Sequence, residues 1–305
     1  MKRITTWTRV ATVALCTLAL IVFVTAAADQ SSAQEPGINI TFTTIDYPGA
    51  ATTTASGINN SNVIVGDYTD ASGKTHGYYR TFSGQFASVD FPGASLTSLW
   101  AINDLNQAVG YYIDSTGTYH GFIYIQGGFT KLDYPNSSFT IAYGINNSLQ
   151  IVGTWADSSG NQSAFFLANS VYTNVVYPGS LATVGSGINS AGNICGEYFD
   201  STGVPHGFGL DHVNGHFVAI NYPGSSQSGC DKVNDKVQIA GYFADSNGNL
   251  SGYAAVPLNN LYFPLNAPGS TATIARGINN QPMVVGHYTD TNGKRHGYYA
   301  VQGAN

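Results

Sequence analysis

The chain has 305 residues with 11 Lys+Arg against 17 Asp+Glu, and only 9% of it is charged, far below the roughly 25% of ordinary soluble proteins. So little charge excludes long solvated helices and coiled coils, and a net charge of −6 excludes a basic footprint for nucleic acid. With 36 Gly, 20 Tyr and 15 Phe, the composition is that of short strands joined by tight turns.

The first element is an address. Lys2, Arg3 and Arg9 precede an apolar run from Val10 to Val24, which ends in Ala26-Ala27-Ala28 and a polar stretch. Basic, apolar and small-residue regions in that order describe a secretory signal peptide over residues 1–28, followed by a short linker at 29–37. Loss of those three basic residues from 11 leaves 8 Lys+Arg against 17 Asp+Glu, a net charge of −9. The alternative is a retained anchor, for which the apolar run is short. The expected location is secreted, extracellular or periplasmic, with no membrane span after cleavage.

Residues 38–305 are six copies of one unit. The prolines of Tyr-Pro-Gly and its variants are Pro48, Pro92, Pro135, Pro178, Pro223 and Pro268. An Asn follows each in register: Asn59, Asn103, Asn146, Asn189, Asn234 and Asn279. A Gly and then an Asp follow in turn, as at Gly66 and Asp70, and a further Gly at Gly73. Each unit reads as four strands. Strand A ends in Gly-Ile-Asn, strand B is the Ile-Val-Gly-x-Tyr run, strand C is His-Gly-Tyr-Tyr, and strand D precedes Asp-Tyr-Pro-Gly. A period of this length with four strands per unit predicts an all-β, six-bladed β-propeller with antiparallel blades. The chain opens on a strand D (Ile40 to Asp46) and ends on a strand C (His296 to Ala300), so the N-terminal strand is expected to close the last blade. An open β-solenoid is the alternative, and it would want capping repeats instead.

The units resemble the HAF repeat, an extracellular bacterial repeat family. The carrying residues are the Gly57-Ile58-Asn59-Asn60, Ile64-Val65-Gly66 and His76-Gly77-Tyr78-Tyr79 types. The third unit (Gln162-Ser163-Ala164-Phe165) and the fifth (Ser251-Gly252-Tyr253) depart from the last of these. The resemblance implies a secreted protein and carries no chemistry.

The repeated polar residues read as scaffold. One carboxylate per Asp-x-x-Gly turn is too few for calcium, so no metal and no cofactor are expected. His76 and Asp90 lie at equal distance from a hairpin turn, which makes them cross-strand partners. So do His120 and Asp133, and by extension His296 and Asp46. A pair that recurs in several blades is structural, since a catalytic dyad is needed once. Cys195 and Cys230 occupy core columns of adjacent blades, and in an exported chain they are candidates for a disulfide.

A unique site must use positions where the copies diverge. Two columns do so near the ring centre. Trp100, Tyr143, Asp231 and Arg276 lie on strand A, and Asp67, Glu197 and His287 just after the strand-B Gly. These seven are the candidate ligand-binding residues. The reading that follows is a non-catalytic binding module for a carbohydrate or an extracellular protein, expected to be a monomer. A secreted hydrolase or lyase with its site at the channel mouth, and a structural envelope or matrix component, stay open. Glu35 and Glu197 are the only glutamates, and Glu35 precedes the repeats, so a Glu–Glu glycosidase pair is excluded. No Gly-x-Ser-x-Gly or His-Glu-x-x-His motif occurs.

Overall fold

The computed structural model describes residues 39–303. The leader read at 1–28 and the linker at 29–37 lie outside the described residues. The fold is a six-bladed β-propeller, six four-stranded antiparallel sheets in a ring. The chain enters on β1 (Ile40–Ile45). Blade one is β2 (Thr52–Ile58), β3 (Ile64–Thr69), β4 (Thr75–Arg80) and β5 (Phe86–Val89). Blade two is β6 (Leu96–Ile102), β7 (Ala108–Ile113), β8 (Tyr119–Ile125) and β9 (Gly128–Leu132). Blade three is β10 (Phe139–Ile145), β11 (Ile151–Ala156), β12 (Gln162–Ala168) and β13 (Val171–Val175). Blade four is β14 (Ala182–Ile188), β15 (Ile194–Phe199), β16 (Pro205–Asp211) and β17 (His216–Ile220). Blade five is β18 (Gln227–Val233), β19 (Ile239–Ala244), β20 (Leu250–Val256) and β21 (Leu261–Leu265). Blade six is β22 (Ser270–Ile278), β23 (Val284–Asp290), β24 (Arg295–Gln302) and β1, which pairs with β24 from Ile40↔Gln302 to Ile45↔Gly297.

A single meander leaves both faces bare, so the core is divided into wedges between neighbouring blades. One such wedge joins Val109 and Ile123 of blade two to Ala142 and Phe165 of blade three. A fully buried aromatic anchors each blade: Tyr78, Phe122, Phe165, Phe208, Tyr253 and Tyr298. The ring before the proline stacks on the strand-B aromatic of the next blade, as in Tyr47–Tyr68 at 3.6 Å and Tyr177–Tyr198 at 3.7 Å.

The inner ends of the blades are tied by asparagine. Asn59 Oδ1 accepts the backbone N–H of Ser61 and Val63, which closes its own turn. Its Nδ2 donates to the carbonyl of Asn103 in the next blade. Asn103, Asn146, Asn189, Asn234 and Asn279 repeat this, and Asn279 returns to the carbonyl of Asn59. The ring of buried amides is therefore complete.

The blade seams are not equally filled. Between blades one and two, Tyr79 and Tyr124 lie 5.9 Å apart, and the Tyr79 hydroxyl reaches the Asn106 carbonyl. The same two positions between blades five and six are Ala254 and Ala300. A cavity of about 260 Å³ opens there, walled by Ile40, Phe263, Leu265, Pro282 and Val284.

Val237 sits in the third turn position after its Asn with φ of 57°, a region that costs a β-branched residue about 1–2 kcal/mol. At the matching position Asn106 and Asn62 offer Oδ1 to the ring amides of Asn59 and Asn279. Val237→Asn should therefore stabilise the fold by about 1 kcal/mol, about 2–4 °C in Tm for a domain this large; a lower Tm would contradict the turn assignment. Deleting residues 39–46 strips β1 from β24 and leaves an unpaired edge. The truncated protein should lose several degrees in a thermal melt, and an unchanged Tm would refute closure by β1.

Candidate functional site

In all six blades the innermost strand carries a β-bulge, and the extra residue is the same one each time. The register slips at Ala55/Gly57, Leu99/Ala101, Ala142/Gly144, Gly185/Gly187, Cys230/Lys232 and Ala275/Gly277. The skipped residues are Ser56, Trp100, Tyr143, Ser186, Asp231 and Arg276. A bulge re-aims its residue out of the ladder, and here it aims them at the ring axis. The residue after each bulge is Gly or Ala in five blades because neighbouring inner strands nearly touch. A Cβ on Gly57 would come within 2.9 Å of the Ala101 Cα and the Trp100 carbonyl.

The side chains so presented meet across the channel. Arg276 of blade six donates Nη1 to Asp231 of blade five at 3.1 Å. Its guanidinium lies 5.2 Å from the Trp100 ring of blade two, past the small Ser56 of blade one. Trp100 meets Tyr143 edge to face at 4.7 Å. Glu197 of blade four accepts the Tyr242 hydroxyl at 3.2 Å. Gly229 makes room for that carboxylate, since a Cβ there would lie 2.5 Å from Glu197 Oε1. Asp67 accepts the Ser98 hydroxyl at 3.1 Å. His287 is buried at the same radius. Trp100, Tyr143, Asp231, Arg276 and Glu197 thus form one cluster, while Asp67 and His287 stand beside it. Asp67 and Glu197 lie towards the B–C end of their strands, and the bulge residues towards the A–B end of theirs.

Lys232 completes the centre and breaks the small-residue column. Its ammonium donates to the Tyr143 and Ser186 carbonyls at 2.6 and 2.7 Å, spanning from blade five to blades three and four. Burial lowers its pKa to about 8. On the far side a cavity of about 70 Å³ is walled by Gly57, Gly144, Gly277, Lys232 and the ring isoleucines.

Burial shifts the acids upward. Desolvation lifts the Asp67 carboxyl to about 6, against the pull of Ser98. Desolvation, and then the nearby Asp231 charge, lift Glu197 to about 7. Desolvation, with Arg276 and Arg295 adding to it, holds His287 well below the usual imidazole range, so it is neutral. Several polar atoms here have no hydrogen-bond partner: Ser56 Oγ, Trp100 Nε1, Asp231 Oδ2, Arg276 Nε and His287 Nδ1.

The histidine pairs lie at the outer strands. His76 Nδ1 is 2.8 Å from Asp90, His120 Nδ1 3.0 Å from Asp133, and His296 Nδ1 2.8 Å from Asp46. The second ring nitrogen of each reaches the Asp of its own B–C turn, at Asp70, Asp114 and Asp290. That Asp–imidazole–Asp bridge escapes a reading by hairpin register alone, because the turn Asp is local in sequence and its second oxygen points sideways. Hydrogen bonds from Ser72 and Lys74 hold Asp70 down to about 2.

The column alignment does bring the two cysteines together. Cys195 and Cys230 are both buried free thiols. Cys195 Sγ turns to the Cys230 carbonyl at 3.6 Å, so the adjacent columns bring the residues together without a bond between the sulfurs. Among the described residues, no group of three or more His, Cys, Asp or Glu is arranged for a metal ion, and no helix is long and apolar enough to cross a membrane.

No protein-family model and no curated protein sequence matches the chain. Solved structures do. A lectin from Aleuria aurantia in complex with Fucα1-6GlcNAc is 13% identical with a TM-score of 0.52, covering 83% of this chain and 95% of that one. The SapL1 lectin in complex with α-methyl fucoside is 12% identical with a TM-score of 0.52, covering 83% and 93%. TolB from Acinetobacter baumannii is 12% identical with a TM-score of 0.55, covering 80% of this chain and 64% of that one. At these identities the likeness is one of fold.

The raised acids carry a pH signature. Folded Asp67 keeps a proton that the unfolded chain releases from about pH 4. Its contribution to stability is full below that pH and is lost as pH rises through about 6. Asp67→Asn removes this dependence. The decline in Tm between pH 4 and pH 7 should be shallower in the variant than in the wild type, and an equal slope would show that Asp67 titrates normally.

Proposed function

We propose that the protein is a secreted, non-catalytic binding propeller whose ligand is a carbohydrate, seated in the central channel. One observation carries this reading. The bulge column brings Trp100, Tyr143, Asp231 and Arg276 from four blades into one cluster with Glu197 from a fifth. These axial positions differ from blade to blade, so a site that occurs once can be built from them. An aromatic pair suits the apolar face of a sugar ring. The partnerless Trp100 Nε1, Arg276 Nε and Asp231 Oδ2 supply the mixed donors and acceptors that hydroxyl groups need. Propellers of the same fold with fucose-containing ligands support the ligand class. The leader sequence and the likeness of the units to the HAF repeat support export.

Cleavage is the second reading, and one observation favours it. Desolvation raises Glu197 to about 7, while Asp231 is paired with Arg276, and two carboxyl groups in unlike surroundings are a glycosidase pattern. A glycan array with the mature protein, followed by incubation with each hit, separates the two. Specific binding without product is expected. Trp100→Ala or Arg276→Ala should weaken it about tenfold or more while leaving the propeller folded. Binding unchanged in both variants would move the site elsewhere, and product release would establish an enzyme.

A further inference from the structure

The charge at the ring centre does not balance once all three of its carboxyl groups are ionised. Three carboxylates, Asp67, Glu197 and Asp231, face two cations, Arg276 and Lys232. Lys232 spends its ammonium on two backbone carbonyls, and Arg276 is committed to Asp231 and Trp100. Glu197 has a tyrosine hydroxyl as its hydrogen-bond partner and, among the described residues, no ion pair. Arg295, which bears on Asp67 from the exposed start of β24, makes no ion pair with it among the described residues. A carboxylate withdrawn from water without a cation is penalised if it ionises and nothing compensates it.

The partnerless atoms say what the compensation looks like. Asp231 is 4% exposed, and its Oδ2 has no donor. The Glu197 carboxylate packs against Gly229, two residues before Asp231 on the same strand, where a Cβ would lie 2.5 Å from its Oε1. On the other side of Arg276, the Arg276 Nε–H and Trp100 Nε1–H donors lack an acceptor. The site therefore asks for one cation with several N–H donors beside groups that accept.

Resting on the carbohydrate reading above, we propose that the ligand is an amino sugar with a free ammonium group, held between Glu197 and Asp231 Oδ2 while its hydroxyl oxygens accept from Trp100 Nε1 and Arg276 Nε. The ammonium supplies the missing positive charge. Its three donors match two carboxylates and a hydroxyl. The N-acetylated form of the same sugar has neither the charge nor the donor count and is bulkier at that nitrogen.

Calorimetric titration at pH 7 and low salt, with glucosamine oligosaccharides and their fully N-acetylated counterparts, tests this. The free-amine form should bind about tenfold tighter, the gain of a charge-assisted hydrogen bond. Glu197→Gln keeps the shape and removes the charge, so the two forms should then bind within about twofold of each other. Gly229→Ala is the second variant. Its Cβ displaces the Glu197 carboxylate with no change of charge and should also erase the preference, with folding checked by thermal melt. Equal binding of both forms by the wild type overturns this proposal and leaves the carbohydrate reading standing. An amine preference that survives both variants overturns the placement at Glu197. Binding of neither form, together with a blank glycan array, overturns both.

Discussion

Every inner strand hangs from one buried amide. The Asn that ends Gly-Ile-Asn uses its oxygen to close its own turn and its nitrogen to grip the next blade's carbonyl. Each link is worth about 1 kcal/mol net, but a buried amide left open costs more than the link returns. Because every blade is both donor and acceptor, all six must be present and in register. The links hold the inner strands so close that the next column is confined to Gly or Ala, with Lys232 the exception. With the turn and the close approach both fixed, the surplus residue is the one extruded as a bulge. The central cluster is thus a by-product of how the ring is tied.

The polar chemistry is sorted by radius. At the outer strands, Asp–imidazole–Asp bridges recur and stack on a neighbouring tyrosine, as His76 does on Tyr68 at 5.0 Å. They join B–C turn, strand C and strand D inside one blade. At the axis the residues differ from blade to blade, and two of their contacts join blades that are not adjacent. Arg276 reaches blade two, and Lys232 reaches blade three. Repetition builds the frame and divergence furnishes its middle.

The period and the four-strand unit were legible because every blade must solve the same packing problem with the same residues. The closing strand was legible from a chain that opens on strand D and stops on strand C. The bulge was not, since an inserted residue that recurs in every copy leaves no gap between them. Nor was the second bond of each ring Asn, because its acceptor is a backbone carbonyl one repeat away. Lys232 left a plain signal, a long cation in a column of Gly57, Ala101, Gly144, Gly187 and Gly277, which a search for variable columns passes over when five members agree.

The seam at Ala254 and Ala300 makes the ring mechanically uneven. A hoop under strain parts where the least contact must be surrendered, and at this joint the dispersion contacts of two large side chains are missing. The same joint borders blade six, the one sheet assembled from both ends of the chain. Thermal breathing should concentrate in that sector while the opposite side stays shut. In the language of fracture, the propeller carries its notch beside its weld.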